Sequence, residues 1–96
     1  MHFVVTALDY TDEEAISRRL AHRDAHLTGV KELISQGRFL SGGAILDDNE
    51  KMIGSTLHLE FPDKASLLEQ IQKDPYISGK VWENIDVKAA RFVPLK

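Results

Sequence analysis

Residues 2 to 10, HFVVTALDY, form an apolar, β-branched run that ends in polar residues, which is the pattern of a strand. From TDEEAISRRL onward the apolar positions change to helical spacing and keep it to KELISQG. Thr11 or Asp12 can cap that helix, Glu13 and Glu14 suit its positive end, and Gly37 is a natural stop. RFLSGGAIL and MIGSTLHLEF are two more strand-like runs, joined by the turn-like DDNEK into a predicted hairpin. Pro62 and Asp63 then open a second helix, DKASLLEQIQK, with Ala65, Leu68 and Ile71 or Gln72 at helical spacing until DPY interrupts it. ISGKVWENID is ambiguous, and VKAARFVPL predicts a last strand.

The order strand, helix, strand, strand, helix, strand predicts an α+β fold of ferredoxin-like βαββαβ type, a four-stranded antiparallel sheet with helices on one face. Alternation within the strands predicts apolar residues on the other sheet face: Val4 or Val5, Leu57 or Leu59, and Phe92 or Val93. No element remains to cover that face, so a second copy of the chain is the expected cover and a homodimer the expected state.

Composition narrows the function classes. The 96 residues suit a single domain, 1–96, and 43% hydrophobic with 28% charged residues is an ordinary globular balance. The formal net charge is −3 and the 12 basic residues are scattered, which argues against nucleic acid as partner. Having no cysteine, the chain cannot use a disulfide scaffold, a thiolate metal site or a cysteine nucleophile. FVVTAL lacks the flanks of a signal peptide, and no apolar run approaches membrane length. A cytoplasmic protein without membrane contact is the expectation.

The segment RRLAHRDAHLTGV concentrates the candidate chemistry. On one continuous helix, Ile16, Leu20, Leu27, Val30 and Ile34 share a face, Arg23 falls in the middle of that stripe, and Arg19 and His26 lie on its edge. A guanidinium in a core is costly unless it is paired or faces a wet cleft. Either the helix breaks near Ala21 to Asp24, or Arg23 points into a polar pocket. Both put Arg23 and His26 beside a concavity, although a histidine on a helix flank is more often a satisfied border residue. His22 and His26 have the i, i+4 spacing of a zinc pair. No Glu follows His22 and no third ligand is evident, so no metal is expected and His22 is placed on the surface. His2 and His58 carry no motif.

HFVVTALD, RDAHLTGVKELISQGRFLSGG, GSTLHLEF and KDPYISGKVWENIDVKAARF together resemble the YciI-like (YCII-related) family, small bacterial proteins of the dimeric α+β barrel type. The likeness spans nearly the whole chain. Its carriers are Arg23 with His26, Gly42 with Gly43, the step Asp74, Pro75, Tyr76, and the run Gly54, Ser55, Thr56. Two departures stand out: Asp24 occupies a position where the family often has Pro, and the loop between the second and third strands is short. The resemblance implies that His26 and Asp74 form an active-site pair, and that at least one relative is similar to a lyase removing chloride from a hydroxylated aromatic ring.

In that implied site His26 is the acid or base, Asp74 orients it, and Arg23 holds an anionic or phenolic substrate oxygen. Ser55, Gly43 and Tyr76 line the pocket. Histidine titrates near neutral pH, so it can take and return a proton, and a carboxylate on its other nitrogen fixes the tautomer. Asp74 has a second role open to it, because an Asp before Pro commonly caps the next helical turn. One carboxylate can do both. Ser55 shows no sign of a nucleophile elbow, and neither a phosphate loop nor a flavin fingerprint is present, so no cofactor is expected. Two functions stay open: a small-molecule lyase, isomerase or hydrolase working by proton transfer at His26, or a dimeric metabolite-binding or accessory protein using the same pocket.

Overall fold

A computed structural model describes residues 1–95. The elements are β1 (His2–Asp9), α1 (Ala15–Ser35), β2 (Phe39–Leu46), β3 (Met52–Glu60), α2 (Lys64–Gln72), α3 (Pro75–Ser78) and β4 (Trp82–Ala90). The sheet runs β2-β3-β1-β4 with every neighbouring pair antiparallel, so each βαβ half is split by a strand of the other. This is the ferredoxin-like α+β architecture.

The register shows which side each strand turns to the helices. Phe3, Val5 and Ala7 of β1 are buried, and their partners Leu59, Leu57 and Ser55 on β3 are buried beside them. Leu67 and Ile71 of α2, Phe61, Tyr76 of α3, Val81 and Trp82 close this core from above. Val5, Leu57 and Leu59 therefore face the helices, not the open side of the sheet. On the open side Val4, Thr6 and Leu8 alternate with them, and Leu8 is exposed. Phe92 joins that side by stacking on His2 at 4.7 Å and on His58 at 4.5 Å between ring centroids. Val93 is exposed.

The helix boundaries depart from the sequence expectation in ways that capping explains. Helix α1 begins at Ala15, after both glutamates, because Asp12 spends its carboxylate on an earlier turn and on Arg18. It ends as expected: Gly37 takes φ +73°, and the Gly37 and Arg38 amides return to the carbonyls of Ile34 and Leu33, the paired bonds of a Schellman end. In α2 the Asp63 carboxylate accepts from the Ser66 amide at 2.8 Å. The buried residues there are Leu67 and Ile71, while Ala65 and Leu68 are exposed. The ambiguous ISGKVWENID divides into the end of α3, a short link and the first half of β4, so the last strand starts at Trp82, and residues 91–95 lie beyond it.

Helix α1 does not break at Ala21 to Asp24. Its buried side chains are Ala15, Arg19 and His26, whereas Leu20 and Ile34 are 58% and 53% exposed. The inward face is thus rotated by about a quarter turn from the apolar stripe, at roughly 100° per residue. Arg23 leaves the middle of the buried face for its exposed flank. His22, placed on the surface from sequence, is half-buried and lies against Gly79, where a β-carbon would come within 2.3 Å of the His22 ring.

Candidate functional site

Both polar side chains buried on the inward face of α1, Arg19 and His26, find a carboxylate partner. Arg19 and His26 stand two turns apart, about 10.5 Å along the axis. The Tyr76 ring, carried by α3, stacks on His26 with centroids 4.0 Å apart and planes at 9°. The Arg19 guanidinium carbon sits 5.0 Å from the same centroid. These separations fill the two-turn gap, so the phenol ring is clasped between guanidinium and imidazole. Trp82 meets both rings edge-on, at 5.5 Å from His26 and 5.4 Å from Tyr76.

Beyond His26 lies Asp74. It is the N-cap of α3, its Oδ1 accepting from the Tyr76 amide at 2.9 Å, with Pro75 at the first helical position. Both Asp74 oxygens also lie 2.9 Å from His26 Nδ1. Cap and histidine partner, the two roles sequence left open, are held by one carboxylate at once. An ionised carboxylate only accepts, so in the neutral ring Nδ1 carries the proton and Nε2 keeps its lone pair.

At the other end Arg19, 4% exposed, donates through Nη1 to both oxygens of Asp9 at 2.9 Å and through Nη2 to Ser55 Oγ at 2.9 Å. Trp82 Nε1 donates to the same Oγ at 3.1 Å. Burial raises the Asp9 carboxyl above its ordinary range, against the pull of the Arg19 hydrogen bond and charge. Burial likewise pushes the Tyr76 phenol up, against the Arg19 and Arg23 charges, so at neutral pH it stays protonated.

A cavity of about 250 Å³ opens between α1, α3 and the β2–β3 hairpin. Arg19, Arg23, His26, Gly43, Ser55 and Tyr76 line it, together with apolar walls from Leu27, Val30, Phe39, Met52 and Leu57. Gly42 keeps β2 close to the sheet here, since a β-carbon would come 2.6 Å from the Thr56 carbonyl oxygen. Arg23 forms no ion pair among the described residues. Five of the six predicted site residues border this cavity, and the sixth, Asp74, bonds to His26. Sequence reasoning passed over Asp9, and it named Arg19 only as an edge residue. Asp9 was detectable as the fourth inward position of β1 after Phe3, Val5 and Ala7, an acid where period two demands a core residue. Among the described residues no group of three or more His, Asp or Glu side chains is placed to hold a metal, and no helix is long and apolar enough to cross a membrane.

Comparison with known proteins bears on the family and the fold. The YCII-related domain profile matches residues 1–91. The chain is 32% identical to Protein YciI of Escherichia coli O6:H1 over 97% of its length and 99% of that protein's. It is 31% identical, with the same coverage, to an uncharacterized protein of Haemophilus influenzae. Among solved structures it is similar in fold to 5-chloro-2-hydroxyhydroquinone dehydrochlorinase from Burkholderia phenoliruptrix AC1100, in complex with 2,5-dihydroxybenzoquinone. There the TM-score is 0.81 with 21% identity, covering 95% of this chain and 94% of that one.

Proposed function

Because the chain belongs to the YCII-related family, we propose that it is a small-molecule enzyme of lyase, isomerase or hydrolase type, working by cofactor-independent proton transfer at His26. The observation that carries this reading is the 2.9 Å contact of His26 Nδ1 with both Asp74 oxygens at the edge of the cavity. Asp74 holds the ring in the tautomer whose Nε2 is basic, and Tyr76 and Trp82 hold its plane. A base so placed takes a proton from the ligand and returns it to another atom or a leaving group, a contribution of about 10²–10⁴ in rate. Arg23, at the rim without a carboxylate partner among the described residues, meets the negative charge that develops. Ser55, Gly43 and Tyr76 complete the binding surface.

Turnover of any substrate found by screening small acids, lactones and phenols should fall about 10²–10⁴-fold in His26→Gln and lose its wild-type pH profile. Unchanged turnover in a folded His26→Gln protein would contradict the catalytic role. It would leave the alternative, a metabolite-binding protein that uses the cavity without chemistry.

The same reading includes a homodimer formed through the open side of the sheet, a cytoplasmic location, and no partner in nucleic acid or membrane. Supporting the dimer, Val4, Thr6, Leu8 and Phe92 lie on a sheet face that no helix of this chain covers. Light scattering at micromolar concentration should give twice the chain mass. Monomer mass alone would refute it.

A further inference from the structure

A count of donors and acceptors at the deep end of the cavity identifies the kind of ligand it takes. Ser55 is 4% exposed and borders the cavity. A hydroxyl has two acceptor positions and one proton. Both acceptor positions of Ser55 Oγ are filled, one by Arg19 Nη2 at 2.9 Å and one by Trp82 Nε1 at 3.1 Å. Neither donor can be reversed, because guanidinium and indole nitrogens never accept. The Ser55 proton has no acceptor among the described residues, and Ser55 lines the cavity. Arg19 Nε, buried beside it, also lacks an acceptor. Asp9, the only carboxylate on Arg19 among the described residues, accepts with both oxygens from Nη1.

We propose that Ser55 is an obligate hydrogen-bond donor to the ligand, and that the cavity takes a small compound presenting an anionic acceptor oxygen to it. The acceptor oxygen follows from the surplus of donors at Ser55 and Arg19. The negative charge follows from Arg23, which lines the same cavity without a counter-ion among the described residues. A small apolar body follows from the walls, Leu27, Val30 and Phe39, in a space of about 250 Å³. The inference deepens the proposed function by naming a ligand class, and it rests on that reading only in taking the cavity as the ligand site. It does not need His26 to be catalytic.

The test compares two probes of one outline, the enolate of cyclohexane-1,3-dione, which only accepts, and neutral 1,3-diaminobenzene, which mainly donates. Dissociation constants are measured by calorimetry at neutral pH. The wild-type chain should bind the dione at least about tenfold tighter, the size of one hydrogen bond to a charged group. Ser55→Ala should lose about tenfold in dione affinity. It also strips Arg19 and Trp82 of an acceptor, so Trp82→Phe serves as the second variant. That change removes one of the two donors that force the Ser55 proton outward and keeps an aromatic ring in place. The ratio of dione to diamine affinity should fall several-fold while Ser55 itself is untouched. No dione binding to the wild-type chain at millimolar concentration, equal affinities for the two probes, or a wild-type ratio in a folded Trp82→Phe would each overturn the proposal. A dione preference without any turnover dependent on His26 removes the catalytic reading and supports this one; equal affinities with turnover dependent on His26 do the reverse.

Discussion

Helix α1 carries two side chains that each meet an aspartate, and the two pairs lie on either side of one tyrosine ring. Arg19 meets Asp9 at 2.9 Å with both side chains about 95% buried, and His26 meets Asp74 at 2.9 Å with side chains 10% and 20% exposed. The first pair is closed. A guanidinium holds its proton at any accessible pH, and both Asp9 oxygens accept from it. The second is open, since His26 keeps Nε2 free while Asp74 divides its oxygens between an imidazole and an amide. A nitrogen donor on a carboxylate thus occurs in two settings on one helix. In the proposals above the buried pair sets the polarity of the Ser55 hydroxyl, and the half-buried one carries a transferable proton.

The comparison breaks most visibly at the closed end. Arg19→Met leaves the Asp9 carboxylate buried and unpaired, which should cost about 3–5 kcal/mol and show as a lower urea midpoint. Adding Asp9→Leu to Arg19→Met removes the stranded charge and should recover much of that loss. If the single variant were as stable as wild type, the closed pair would not be the anchor described. The adjacent Arg18 gives the contrast at smaller scale. It pairs with Asp12 at the surface, and that hydrogen bond is the main cause holding the Asp12 carboxyl down to about 2. A carboxyl lowered in the folded state adds stability above its unfolded value near 4, and that stability is lost as pH falls toward 2. Asp12→Asn should flatten this part of the pH–stability curve, and added salt should mimic the variant, because exposed pairs are screened. An unchanged acid limb would contradict the pairing.

The sheet and its order were legible because β-branched runs, a DDNEK turn and an Asp-Pro step each have one strong structural meaning. That turn is built from the residues expected: Asp47 accepts from the Asn49 and Lys51 amides, and Glu50 takes φ +62°. The orientation of α1 was not legible. Leu20 and Ile34 suggested a core stripe, but the helix buries Arg19 and His26 instead, each paid for by an aspartate far away in sequence. Periodicity scores a residue by its own polarity and carries no information about such partners. The same limit explains α2, where Leu67 and Leu68 offer two equal faces and only packing against the sheet selects Leu67. His26 and Asp74 were paired through a family resemblance; spacing alone, 48 residues apart, could not have joined them. Trp82 lay in the segment left ambiguous, although its pairing with Asp9 across β1 and β4 brings the indole to Ser55.

The proton position on His26 tests the central claim most directly. Nitrogen NMR on the ¹⁵N-histidine-labelled chain separates the two ring tautomers of each histidine, and His26→Gln assigns the signal. In the neutral ring, Nδ1 should be protonated and Nε2 bare, and Asp74→Asn, whose amide can also donate, should shift the balance toward the Nε2–H form. A neutral His26 already protonated at Nε2 in the wild-type chain would contradict the account, because the nitrogen left for the cavity would then be a donor and no base.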